Sequence, residues 1–199
     1  MKKILALLGL VLLPAFVFAA TEVEYDCEAE KEAFAEYVSG QNNDYFISQH
    51  VLVNLADPMR EMSDWDATPH AVCYVQYVAH GKRLPDFVRL NAGKFQPKEK
   101  AQLLEFAGRS EALVERQRLE KMVAKGNTSH IMEFVLINLA DSMRKLSDEE
   151  AVTKARVYAD IRVNGVDLVQ FVKDHAVEYP GDTQTEFDAF AQRVEQLAK

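Results

Sequence analysis

The sequence predicts an all-α, internally duplicated helical domain built from two units of about 80 residues, four to five helices each. Three observations carry this reading. Residues 51–64 recur as residues 135–148, with 10 of 14 positions identical at an offset of 84. The same register runs on without a gap to residues 109 and 193, adding 11 identities over the next 45 positions. Apolar residues recur at helical spacing along both units, punctuated by capping residues. There is no long Gly/Ser linker and no low-complexity run, so the two units are expected to pack together rather than hang as beads.

Residues 1–19 are set aside first. Lys2 and Lys3 form a basic start, residues 4–18 an apolar run, and Val17 and Ala19 place small residues before a cut. That pattern is a secretory signal peptide, and it implies a periplasmic or secreted protein of a Gram-negative-type bacterium. No later segment has the apolar length of a membrane span. The first unit then covers 20–110 and the second 111–199, with a long helix over 97–125 shared between them. Two copies fall short of the three or more that a solenoid needs.

The elements follow in order. Residues 27–39 present Ala29, Ala33, Phe34, Tyr37 and Val38 on one helical face, and Gly40 suits a left-handed cap. A turn with Asn43 or Asp44 as N-cap leads to a helix over 45–62, striped by Val51, Leu52, Leu55, Met59 and Met62. Pro58 should kink or split it. Because Ser142 stands at the matching position, that kink is not expected to be a shared feature. Ser63 and Ser147 read as N-caps with an acid three residues on. The third helix should run through Cys73, Tyr74 and Tyr77 towards Gly81, and its counterpart through Val157 and Tyr158 to Asn164 and Gly165. Short β-hairpins at Gly81 and Gly165 are the alternative, since residues nearby alternate and Asn-Gly favours a tight hairpin turn. A short fourth helix matches Leu84, Phe87 and Val88 to Leu168, Phe171 and Val172, with Asp167 and Gln170 read as a capping box. Phe187, Phe190, Ala191, Val194 and Leu197 line a closing helix.

Cys27 and Cys73 are the only cysteines. In an exported chain such a pair is expected to be joined, closing a loop worth about 3–4 kcal/mol in the chain-entropy model. The second unit has Glu111 and Val157 at the matching positions, so the bridge would belong to the first alone.

Charge narrows the function classes. Lys2 and Lys3 are the only charges in residues 1–19, so the remainder carries 21 basic and 31 acidic side chains, net −10. That argues against nucleic acid as a partner, which needs a basic face. No metal site, cofactor or catalytic residue is expected. The five histidines make no His-Glu-x-x-His, no two lie three or four apart, and none is kept between the units. There is no Gly-x-Ser-x-Gly and no Gly-rich phosphate loop.

The one repeated polar set is Asn54, Asp57 and Arg60 with Asn138, Asp141 and Arg144, joined by Asp64 and Asp148. The spacings i, i+3 and i, i+4 suit salt bridges along a helix end, so the set reads first as scaffold and second as a pair of equivalent binding sites. Trp65 is the further binding candidate, as part of an aromatic cluster that should otherwise be core. The function expected is binding without catalysis. The leading form is a periplasmic protein-interaction module, an inhibitor, immunity-type or chaperone-like protein with a protein partner in the envelope. The alternatives are a small-molecule or ion-binding protein and an enzyme with a carboxylate-based site. Oligomeric state is not written in the sequence.

Overall fold

A helix starts where a side chain can accept its first free N–H groups, and this chain supplies such acceptors at Asp26, Asn43, Ser63, Asn127 and Ser147. The computed structural model describes residues 25–199, so the signal segment read over 1–19 lies outside the described residues. In chain order come α1 (Cys27–Ser39), α2 (Asp44–Val51), a π-helical turn (Leu52–Ala56), α3 (Asp57–Glu61) and α4 (Asp64–Tyr74). The hairpin β1–β2 (Val78–Ala79, Lys82–Arg83) precedes α5 (Leu84–Ala92) and the long α6 (Pro97–Val123). Beyond it lie α7 (Thr128–Phe134), a second π-helical turn (Val135–Ala140), α8 (Asp141–Lys145) and α9 (Asp148–Ala159). The hairpin β3–β4 (Arg162–Val163, Val166–Asp167), α10 (Leu168–Ala176) and α11 (Asp182–Leu197) complete the chain.

The described chain is mostly helical, with only two small hairpins as sheet. Several local expectations change. The third helix stops at Tyr74 instead of reaching Gly81. His80 and Gly81 both take positive φ, 47° and 77°, as do Asn164 and Gly165, at 52° and 84°. Two successive positive-φ residues make the turn whose twist suits a two-residue hairpin, and it pairs Val78 with Arg83 and Arg162 with Asp167. His80 is a rarer occupant of that region than Asn or Gly. Its ring ties the turn down, with Nδ1 2.7 Å from Asp44 Oδ1 and Nε2 3.2 Å from the Gln41 carbonyl. Gly40 keeps a right-handed conformation, φ −84°. Asp167 makes no capping hydrogen bond, and Gln170 bonds Asp174 instead.

The break expected from Pro58 is present, but proline is not its cause. In both halves the helix passes through a π turn, where the N–H of Asp57 bonds the Leu52 carbonyl and that of Asp141 bonds the Leu136 carbonyl. The second half does this with Ser142 in place of proline. Pro58 sits in the first turn of α3, where its missing N–H costs little.

Packing is organised around α6. On one side it meets α4 and α5, on the other α9. Gly108 allows the second approach, since a Cβ there would stand 3.3 Å from Thr153 Cβ. One apolar core runs through both halves, from Ile47, Leu84 and Phe87 through Leu103 and Leu113 to Tyr158, Leu168 and Phe187. Cys27 and Cys73 form a disulfide, Cα atoms 5.5 Å apart, fixing the start of α1 to α4. No described helix is long and apolar enough to cross a membrane.

Candidate functional site: a polar cleft between the halves

The repeated polar set is mostly committed to holding helices. Asp57 pairs with Arg60 at 3.0 Å and Asp141 with Arg144 at 2.7 Å, the i, i+3 contacts expected. The expected i, i+4 contacts to Asp64 and Asp148 are not made, because other arginines claim those acids. Arg109 reaches across from α6 to Asp64 at 2.7 Å and donates to the Met59 and Met62 carbonyls at the open end of α3. Arg193, from α11, does the same to Asp148 and to the Met143 and Leu146 carbonyls. Each clamp supplies donors to carbonyls that a helix C-terminus leaves unpaired.

Asn54 and Asn138 also turn inwards on their own helix. Their amides donate to the carbonyls of His50 and Phe134, four residues back, at 3.1 and 3.2 Å. Both sit inside a π turn, where the regular ladder is interrupted.

What differs is where the two sets face. Asn138 and Asp141 line a cleft of about 360 Å³ between the halves, whereas Asn54, Asp57 and Arg60 do not. Arg144 borders a smaller notch of about 140 Å³ with Asp141, Glu186 and Phe190. Trp65 is 87 % exposed and overhangs a groove of about 340 Å³ floored by Pro69 and Leu113. The rest of its aromatic cluster divides. Phe34, Tyr74 and Tyr77 are buried, while Tyr45 and Phe46 remain exposed.

The cleft lies over an ionic network that the sequence reading missed. α6 carries Glu111, Glu115 and Arg118 at i, i+4 and i+7, which puts all three on one face. Arg89, from α5, grips Glu111 through both terminal nitrogens, at 3.1 and 2.6 Å. Lys154, from α9, is fully buried and stands 3.1 Å from Glu111, 2.9 Å from Glu115 and 2.7 Å from Ser142 Oγ. Tyr158 donates to Glu115. Three acceptors meet the three donors of one ammonium, which satisfies a charge that would otherwise be very costly to bury.

Burial pushes the Glu115 carboxyl above its ordinary range, against the pull of Lys154. Burial also opposes ionisation of Glu111, but the Arg89 hydrogen bonds and the Lys154 charge outweigh it and hold that carboxyl below its ordinary value. Burial, then the neighbouring Glu115, drives the Tyr158 hydroxyl well up.

Chemically this arrangement holds and presents groups. Lys154 and Ser142 have the separation of a serine–lysine dyad. The same amine is held by the carboxylates of Glu111 and Glu115. Among the described residues no group of three or more His, Cys, Asp or Glu side chains is placed to hold a metal ion.

A signal for the network was present in the sequence. Lys154 and Ser142 replace His70 and Pro58, and Glu111 replaces Cys27, at matching positions. Each change puts a polar group where the first half has none or a lesser one, and together they mark one place. Comparison with known protein families, with curated proteins and with solved structures finds no match.

Proposed function

We propose that the chain is an exported, internally duplicated binding protein, acting in the periplasm without catalysis, and that its ligand site is the cleft between the halves. The carrying observation is the cleft itself, about 360 Å³, with polar side chains from α5 and α6 on one wall and from α8 on the other. That volume lies in the range of small-molecule sites, which favours a small ligand over a protein partner for this surface. The equal spacing of π turns, hairpins and arginine clamps supports the duplication. On this reading duplication supplied two scaffolds, and the divergence of one made the site. The disulfide is compatible with an oxidising compartment.

Native mass spectrometry of the chain released from the cell envelope, without dialysis, tests this. A small-molecule adduct should accompany the protein and be lost in Ser142→Leu, which fills the cleft. A bare mass, or an adduct that survives the substitution, counts against the site. A protein partner is the second reading, favoured by Trp65 over its apolar groove. It requires that Trp65→Ala, and not Ser142→Leu, abolish crosslinking to a basic envelope protein presenting an apolar side chain.

A further inference from the structure

Charge bookkeeping around the cleft shows which ligands it can accept. Each acid on its walls already has a cation of the chain. Asp86 is met by Arg83 at 3.1 Å, Glu111 by Arg89 at 2.6 Å, Glu115 by Lys154 at 2.9 Å and Asp141 by Lys145 at 2.5 Å. With Lys154 buried beneath it, the cleft gathers five cations (Arg83, Arg89, Arg118, Lys145 and Lys154) against these four acids. Arg118 lines the cleft and has no acid within ion-pair distance among the described residues. The Nε–H of Arg89 is buried and has no acceptor, and a buried donor left so costs about 1–3 kcal/mol. A cationic ligand would find every carboxylate taken, whereas an anionic one would find a free guanidinium. This surplus of donors lies in a protein of net charge −8, so it is a local exception and not a general property of the surface. The walls also include Val75, Val114, Ile137 and Leu146, which suit an apolar body attached to the anionic group.

Resting on the reading of the cleft as the ligand site, we infer that it binds a small organic anion, a carboxylate or a phosphate ester with an apolar portion, whose charged end is held by Arg118. The two anion chemistries share this recognition, and titration separates them.

Isothermal titration of the whole chain at low salt would use hexanoate and phenyl phosphate as probes, with hexylamine and hexanol as controls. At least one anion should bind, more weakly as salt rises, and neither control should. Arg118→Glu should weaken that binding roughly tenfold to hundredfold, the worth of one charge-assisted hydrogen bond. Arg156→Glu, an equal charge change at another exposed position, should leave it unaltered. Arg118 is exposed, so its substitution should not disturb folding, and circular dichroism checks this. Failure of both anions to bind, equal binding in Arg118→Glu, or preference for the amine overturns the inference. If the amine or alcohol binds and Ser142→Leu abolishes that binding, the cleft remains the site and only the ligand class is wrong.

Discussion

In the first half, α1 is joined to α4 by Cys27 and Cys73. In the second, the far part of α6 takes the place of α1 and meets α9 through Glu111 and Glu115 against Lys154. Glu111 stands 84 residues after Cys27, and Val157 stands 84 after Cys73. One contact is covalent and places no charge in the core. The other buries charges that balance only while every partner is present. Tyrosine follows the same division. Tyr25 and Tyr77 bond Glu30 beneath the disulfide, whereas Tyr158 bonds Glu115 inside the ionic network. Around the covalent staple two tyrosines converge on one acid, Glu30. The ionic one gathers polar groups at the junction of the halves, which is where the cleft opens.

Breaking the ionic contact should have the largest effect. Glu111→Leu leaves Arg89 and Lys154 buried without their shared acid, at a cost of about 3–5 kcal/mol. For a domain of this size that lowers the melting temperature by roughly 10 °C, as calorimetry would read. Replacing the whole set in Arg89→Leu/Glu111→Leu/Glu115→Leu/Lys154→Met should recover most of the loss, because desolvation of the charges disappears with them. If the quadruple variant is as unstable as the single one, the contact is held by shape rather than by charge balance. Removing the disulfide in Cys27→Ala/Cys73→Ala should cost about 4 kcal/mol at most on chain entropy. Hydrogen exchange should then rise in α1 while α9 keeps its protection.

The covalent contact was legible from residue type alone, whereas the ionic one left a trace only in the comparison of matching positions, for a physical reason. Two cysteines in a chain read as exported have few other uses, so residue type alone suggests the pairing. Charged residues are common on helix surfaces, and nothing in Glu111 or Lys154 taken singly says that it is buried. Burial comes from the crossing of α6 over α9, a long-range fact set partly by Gly108. The helices themselves were readable from period and caps, as Ser63 and Ser147 demonstrate. The hairpins were harder, because four strand residues carry less pattern than a helix and His80 is an unusual turn residue. Asn54 and Asn138 read as matching polar residues at the border of an apolar stripe. Their role depends on a π turn that no periodicity announces.

The arginine clamps compare the halves more finely. Arg109 is 13 % exposed and Arg193 is 23 % exposed, with the same three partners in each half. Arg109→Met should therefore cost about 2–3 kcal/mol and Arg193→Met about 1–2 kcal/mol, since water competes more strongly for the more open hydrogen bonds. Urea unfolding of the two variants measures this order. The reverse order would place the more demanding helix end in the second half.

The smallest effect expected is a response to acid that has opposite signs in the two halves. Burial holds the imidazoles of His50 and His70 below their ordinary value, with Glu30 pulling His70 back only in part. His70 packs against Tyr25 with the rings tilted, centres 3.9 Å apart. A depressed folded pKa contributes stability that is complete above the unfolded value, about 6.5, and is lost as pH falls through the folded one. Glu115 runs the other way. Its raised pKa means that the folded protein takes up a proton first, so stability is regained on acidification. Glu111, held low, begins to lose stability only below the ordinary carboxylate range. As pH falls below about 6.5 the first half should therefore weaken, while protonation of Glu115 acts in the opposite sense. On acidification urea midpoints should fall gently in the wild type, fall more steeply in Glu115→Gln, and rise in His50→Phe/His70→Phe. An unchanged slope in Glu115→Gln would mean that the ionic network keeps its carboxylate charged throughout, and the opposition between the halves would then vanish.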